Sequence, residues 1–142
     1  TNLASEKKEE KKVVEEKVFK VGDTVSVEGM EITIDSAAFT APSEYAEAVN
    51  GKVITLEVSV KNTNPEQSFI DNTEFSMYDS EGNKMEDYYG YDQMAISDDV
   101  NSGKQLKGKL YFNVKEQEKY EMIYTPSFSM DSKEIKFEIA AQ

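Results

Sequence analysis

The sequence predicts an all-β protein, two antiparallel sheets of about seven or eight short strands packed face to face. Three observations carry this reading. Gly51 to Pro65, GKVITLEVSVKNTNP, places Ile54, Leu56, Val58 and Val60 at every second position, with Thr55, Glu57, Ser59 and Lys61 between them. Successive side chains of a strand point to opposite faces, so this run has one apolar side and one solvated side. The same alternation recurs at Met30 to Asp35 and at Leu106 to Lys115. Finally, no segment has the length of a crossover helix, which a parallel sheet requires.

The elements follow in order. Residues 1–17 are a Glu/Lys segment with only Val13 and Val14 to bury. Packing does not offset the entropy of ordering such a segment, which therefore reads as a flexible tether. A transient helix is the alternative, because Glu and Lys both favour helix. The folded domain is expected over 18–142. Val18 to Val21 forms a first strand and Gly22-Asp23 a turn; Thr24 to Val27 and Met30 to Asp35 flank a tight turn at Glu28-Gly29. Ala38 to Asn50 is a longer connection, in which Ser43 before Glu44 could cap one or two helical turns. The Gly51 strand ends at Asn62-Thr63-Asn64-Pro65, since Asn bonds its own backbone and Pro supplies no ladder donor. Phe75 and Met77 share a face of the next strand. Asp79 to Asn83 is a hairpin turn with Gly82 in a left-handed position. Lys84 to about Tyr89 returns, and Gly90 interrupts a Tyr-rich and acidic stretch. In the last long strand Leu106, Gly108, Leu110, Phe112 and Val114 face inward, while Lys107, Lys109, Tyr111, Asn113 and Lys115 face outward. Tyr120 to Thr125 and Ile135 to Ile139 close the chain.

Composition removes whole classes of chemistry. The chain has no Cys, His, Arg or Trp, and a formal charge of −12. Thiolate and imidazole nucleophile systems, Cys- or His-ligated zinc, and arginine clamps for phosphate are therefore absent. Five Glu and five Lys cancel within residues 1–17, so the acidic surplus falls on the domain. Such a surface repels phosphate backbones, and nucleic acid is not an expected partner.

The order VGDTV, GMEITI, GKVITLEVSVKN, FSMYDSEG and GKQLKGKLYFNV, spread over Phe19 to about Ile139, resembles an immunoglobulin-like domain of unknown function. That family occurs in lipoproteins of the Gram-positive cell envelope, and its fold is similar to that of a secreted mycobacterial immunogenic antigen. The resemblance implies an immunoglobulin-like β-sandwich and an extracytoplasmic location. It also implies a lipid-modified Cys upstream of Thr1, with the charged segment as a stalk. It carries over no catalytic residue and no cofactor, and it implies a binding or structural role; the expected reading is an interaction module whose partner is an envelope protein or wall component.

Within the chain, Asp87-Tyr88-Tyr89-Gly90-Tyr91-Asp92 is the strongest candidate for partner binding, through Tyr88, Tyr89 and Tyr91. Tyrosine offers stacking area and a hydroxyl at low entropic cost. Two of the three also suit a strand that alternates into a core, and exposure separates the two readings. Asp98-Asp99 with Asn101, and Asp79-Glu81-Asn83, group hard oxygens, but neither has the spacing of a calcium loop, and no metal site is assigned. Turn chemistry accounts for both. A small-ligand or cation-binding role is the alternative, followed by a hydrolase built on two carboxylates, for which no pair stands out. Lys107, Lys109 and Lys115 suit a solvated face better than an anionic polymer.

Overall fold

The computed structural model describes residues 17–131 and 133–142. Of the predicted tether only Lys17 lies among them, its ammonium 5.1 Å from the centre of the Phe19 ring. The rest of that assignment falls outside the described residues.

Among the described residues eleven strands and one short 3-10 helix follow in order: β1 (Val18–Lys20), β2 (Thr24–Val27), β3 (Met30–Thr40), β4 (Lys52–Asn62), β5 (Ser68–Asp71), the helix Asn72–Glu74, β6 (Phe75–Tyr78), β7 (Lys84–Asp87), β8 (Ser97–Val100), β9 (Gln105–Val114), β10 (Tyr120–Tyr124) and β11 (Ile135–Ile139). The spatial order β1-β11-β10-β6-β7-β9-β4-β3-β2 makes two layers joined through β7, and β5 pairs with β8 in a small separate ribbon. The fold is an immunoglobulin-like β-sandwich, antiparallel except at one edge, where β1 runs parallel to β11.

β4 is the spine of one layer. Ile54, Leu56, Val58 and Val60 are all buried, opposite Phe112, Leu110, Gly108 and Leu106 of β9. They meet Met77, Met122 and Phe137 of the other layer in one contiguous core. At about 25 cal/mol per Å² of apolar surface removed from water, each such side chain contributes roughly 1.5–3 kcal/mol. Asn62 ends the strand through more than turn chemistry. Its Oδ1 accepts from Asn64 N at 2.8 Å, while its Nδ2 donates to Glu66 O at 2.8 Å and Val100 O at 2.9 Å. This fully buried amide ties β4 to β8.

Eleven strands exceed the expected seven or eight: the segments set out above already make nine, and alternation does not reveal the other two, β5 and β8. Each is four residues long with a single fully buried side chain, Ile70 or Val100. β3 also runs past Asp35 to Thr40, since a bulge between Ile34 and Ser36 shifts its register on β4 and restarts the alternation. The connection that follows contains no helical turn. Ala46 N donates to Ser43 O at 3.2 Å in a β-turn, with Ser43 Oγ accepting from Tyr45 N at 3.2 Å, and the Tyr88 hydroxyl clamps it by accepting from Ser43 N at 2.8 Å and donating to Ala46 O at 2.7 Å.

Candidate functional site

The tyrosine segment leaves the end of β7 and is held by what lies on either side of it. Tyr88 is 3 % exposed and packs with Val53 and Tyr111 on the outer surface of the β4–β9 layer. Tyr91 lies 5.0 Å from both Tyr88 and Tyr111, edge-on to each. Its hydroxyl bonds Thr40 Oγ1 at 2.8 Å and donates to Ala41 O. The two rings thus fasten the 88–95 segment to the 41–51 connection. Gly90 is required because a Cβ there would run into the Tyr88 hydroxyl and the Ala46 methyl group. Tyr111 and Asn113, expected to face solvent, are buried beneath this covering. Asn113 Oδ1 accepts from Val49 N at 3.1 Å, and its Nδ2 donates to Asp87 O at 3.1 Å.

Tyr89 points the other way. It is 76 % exposed, and its hydroxyl donates to Asp87 Oδ2 at 3.0 Å. That bond to the carboxylate, followed by desolvation and the Asp87 charge, pushes the Tyr89 phenol above its ordinary pKa. Tyr45 and Met94, at 89 % and 85 % exposure, stand on the two clasped loops. Of the three tyrosines singled out by sequence, one therefore offers its ring to solvent, while Tyr88 and Tyr91 hold the loop that presents it.

Beside Tyr89 the two layers part. β7 pairs with β6 at Met77–Met85 and Tyr78–Lys84, then transfers to β9, with Glu86 opposite Asn113 and Asp87 opposite Phe112. A cleft of about 730 Å³ opens where β7 leaves β6. Its floor is apolar, from Phe75, Met85 and Phe112, and its walls carry Thr73, Ser76, Lys84, Glu86, Asp87 and Tyr89. Burial raises the Asp87 pKa above the ordinary carboxylate value, against smaller lowering effects of the Tyr89 hydroxyl and the Lys84 charge. Sequence reasoning singled out the tyrosines but not this cleft, because the divergence depends on strand pairing rather than on any local pattern.

Glu74, on the short helix nearby, has a structural task. Its carboxylate accepts from Asp71 N at 2.7 Å and from Ser127 N and Oγ, each at 2.7 Å. Asp71 caps the helix in return, accepting from Thr73 N at 2.9 Å. Bonds from Ser97 and from Thr73 hold the Asp71 carboxyl below its ordinary range. In the 79–83 turn, Asp79 accepts from Glu81 N at 2.9 Å and from Asn83 N at 2.8 Å. Asp98 and Asp99 are exposed on β8, and Asn101 accepts from Gln67 Nε2 at 2.6 Å. Among the described residues no three acidic side chains are grouped to hold a metal ion.

The two-layer, almost wholly antiparallel β-sandwich defines the class: an immunoglobulin-like domain. The chain belongs to the family described as "Domain of unknown function (DUF4352)", whose profile matches residues 19–135. It is 29 % identical over 107 residues, 72 % of its length, to the uncharacterized lipoprotein YcdA of Bacillus subtilis, of which it spans 30 %. The crystal structure of that putative lipoprotein superposes with a TM-score of 0.71 at 27 % identity, covering 83 % of this chain and 38 % of the other. The secreted protein MPT63 of Mycobacterium tuberculosis shares the fold with a TM-score of 0.64 at 12 % identity, over 87 % of this chain and 96 % of its own.

Proposed function

We propose that the domain is a non-catalytic interaction module outside the cell, carried on a lipid anchor and gripping an envelope protein or wall component through the tyrosine loop. Support for the location comes from a relative that is a lipoprotein. Among the described residues no helix is long and apolar enough to cross a membrane, and a lipid would supply the attachment. One observation carries the binding role: the Tyr89 ring is 76 % exposed on a segment that Tyr88 and Tyr91 fix to the sheet. A rigid exposed aromatic loses little entropy on docking, the usual property of an anchor residue.

Immobilised full-length chain is expected to retain a specific component from envelope extracts or purified cell walls. Tyr89→Ser should lose it with an unchanged melting temperature. Tyr88→Ser should instead unfold the clasp, at a cost of about 3 kcal/mol for a buried aromatic. Undiminished retention by Tyr89→Ser would remove this reading. A second reading, a small-ligand or cation-binding domain, is favoured by the cleft beside Tyr89.

A further inference from the structure

Resting on the reading that Tyr89 meets a partner, we propose that the cleft between β6 and β7 receives an alkylammonium group, such as a lysine side chain of a partner peptide, with Asp87 as its counter-ion. The strands part there because Glu86 and Asp87 pair with β9, so Phe75 and Ser76 have no β7 residues opposite them. The resulting space, about 730 Å³, joins an apolar floor to a charged rim. Phe75, Met85 and Phe112, each 6 % exposed or less, present a narrow apolar strip at the bottom that suits methylenes better than polar groups.

The rim selects the head group. Asp87 forms no salt bridge among the described residues, and its one hydrogen bond at the cleft comes from Tyr89 to Oδ2. Oδ1 is left to accept from a ligand. A guanidinium fork pairs best with two freely accepting carboxylate oxygens, and Tyr89 already takes one lone pair of Oδ2, whereas an ammonium needs one acceptor and is free to turn its remaining donors toward the Thr73 and Ser76 hydroxyls. The exposed face of Tyr89 adds cation–π attraction. Divalent cations want six or more hard oxygens, which this rim does not gather. Anions meet Glu86 and Asp87 in the cleft and Asp71 close to Tyr89.

The titratable groups around Asp87 are Lys84 and Glu86 on its own strand, Tyr89 on the loop and Asp71 at the cap of the short helix. Lys84 is the sole cation in the lining and competes for the same carboxylate. Ligand affinity should fall as pH drops through the raised Asp87 pKa, since the protonated acid no longer pairs with a cation.

The test is titration of N-acetyl-lysine methylamide, its norleucine counterpart and n-butylamine into the isotope-labelled full chain, followed by two-dimensional amide NMR. The lysine derivative and butylamine should bind saturably and shift Ser76, Asp87 and Tyr89, and the neutral norleucine derivative should not. Tighter binding of the lysine derivative than of butylamine would mean that its peptide flanks are also read, and equal affinities that the ammonium alone is; both support the cleft. Asp87→Asn, nearly isosteric, should weaken binding about tenfold, Tyr89→Leu should also weaken it, and Lys84→Gln should tighten it. Absence of saturable shifts at these residues, an equal response to norleucine, or unchanged affinity in both Asp87→Asn and Tyr89→Leu would overturn the proposal. Amine binding without Tyr89-dependent envelope capture would retain the cleft and remove only the interaction module; capture without amine binding would do the reverse.

Discussion

Asp87 works against the fold at the pH where it would serve a ligand. Its pKa is raised from 3.8 by burial, with Tyr89 and Lys84 offsetting only part of the effect. Between the unfolded and the folded pKa the native state binds more protons, so stability declines as pH rises through that window. Above it the ionised carboxylate is a standing cost. Asp87→Asn is therefore expected to raise the urea midpoint at neutral pH, with the difference closing as pH falls below both pKa values. A lower midpoint for the variant at neutral pH would show that the carboxylate stabilises the fold. Asp71 and Asp79 have the opposite sign: their pKa values are lowered, so their contribution is present above the unfolded value and lost on acidification. At this scale the sequence shows which segment is aromatic and acidic, but not which ring faces out. That depends on Tyr88 lying over Val53 and Tyr111, a contact between residues far apart in the chain.

The strands whose alternation is clean are the ones legible in advance. β4 is the strongest case, and it separates two substitutions one residue apart. Val58 is fully buried opposite Gly108, while Glu57 is exposed, accepts from Ser36 Oγ at 3.0 Å and faces Lys109 across the ladder. Val58→Asp should cost more than about 4 kcal/mol and unfold the domain, because it buries an unpaired charge. Glu57→Gln should change stability by less than about 0.5 kcal/mol, as exposed pairs contribute little. Circular dichroism melts of the two variants decide it, and equal midpoints would contradict the assignment of faces. Legibility fails where a strand is short or its phase resets. β5 and β8 each bury one side chain, β3 changes phase at its bulge, and in the connection after β3 Ser43 Oγ does accept from Tyr45 N at 3.2 Å, but the chain makes a β-turn held by the Tyr88 hydroxyl instead of a helical turn. The glycine of the β2–β3 turn was readable from its local reason, since Glu28 and Gly29 both adopt positive φ, 48° and 87°, but not from its distant one, the Asn64 side chain that a Cβ at Gly29 would strike.

Neither the transfer of β7 between layers nor the parallel seating of β1 on β11 leaves a mark in the sequence, because edge pairing is chosen by contacts across the whole domain. Charge, by contrast, is legible at once and acts on the molecule as a unit. The formal charge is −12, and residues 1–17 contribute nothing to it. The ion pairs Lys52–Glu116 at 3.5 Å and Lys119–Glu138 at 3.7 Å lie at the surface, with Glu138 half-buried and the other three side chains exposed. Attraction within such pairs is weak, so repulsion among the unpaired carboxylates dominates the long-range electrostatics. Screening shortens the range of that repulsion from about 30 Å at 0.01 M salt to about 10 Å at 0.1 M. Raising sodium chloride across this interval should therefore increase Tm by roughly a few degrees, measured by differential scanning calorimetry. Calcium chloride at matched ionic strength should give nearly the same shift, since screening does not depend on a coordinated site. A fall in Tm with added sodium chloride would mean that local pairing outweighs repulsion. A calcium-specific excess would instead place a bound cation among the acidic turns, where Asp79 now serves only backbone amides and the Asn83 side chain.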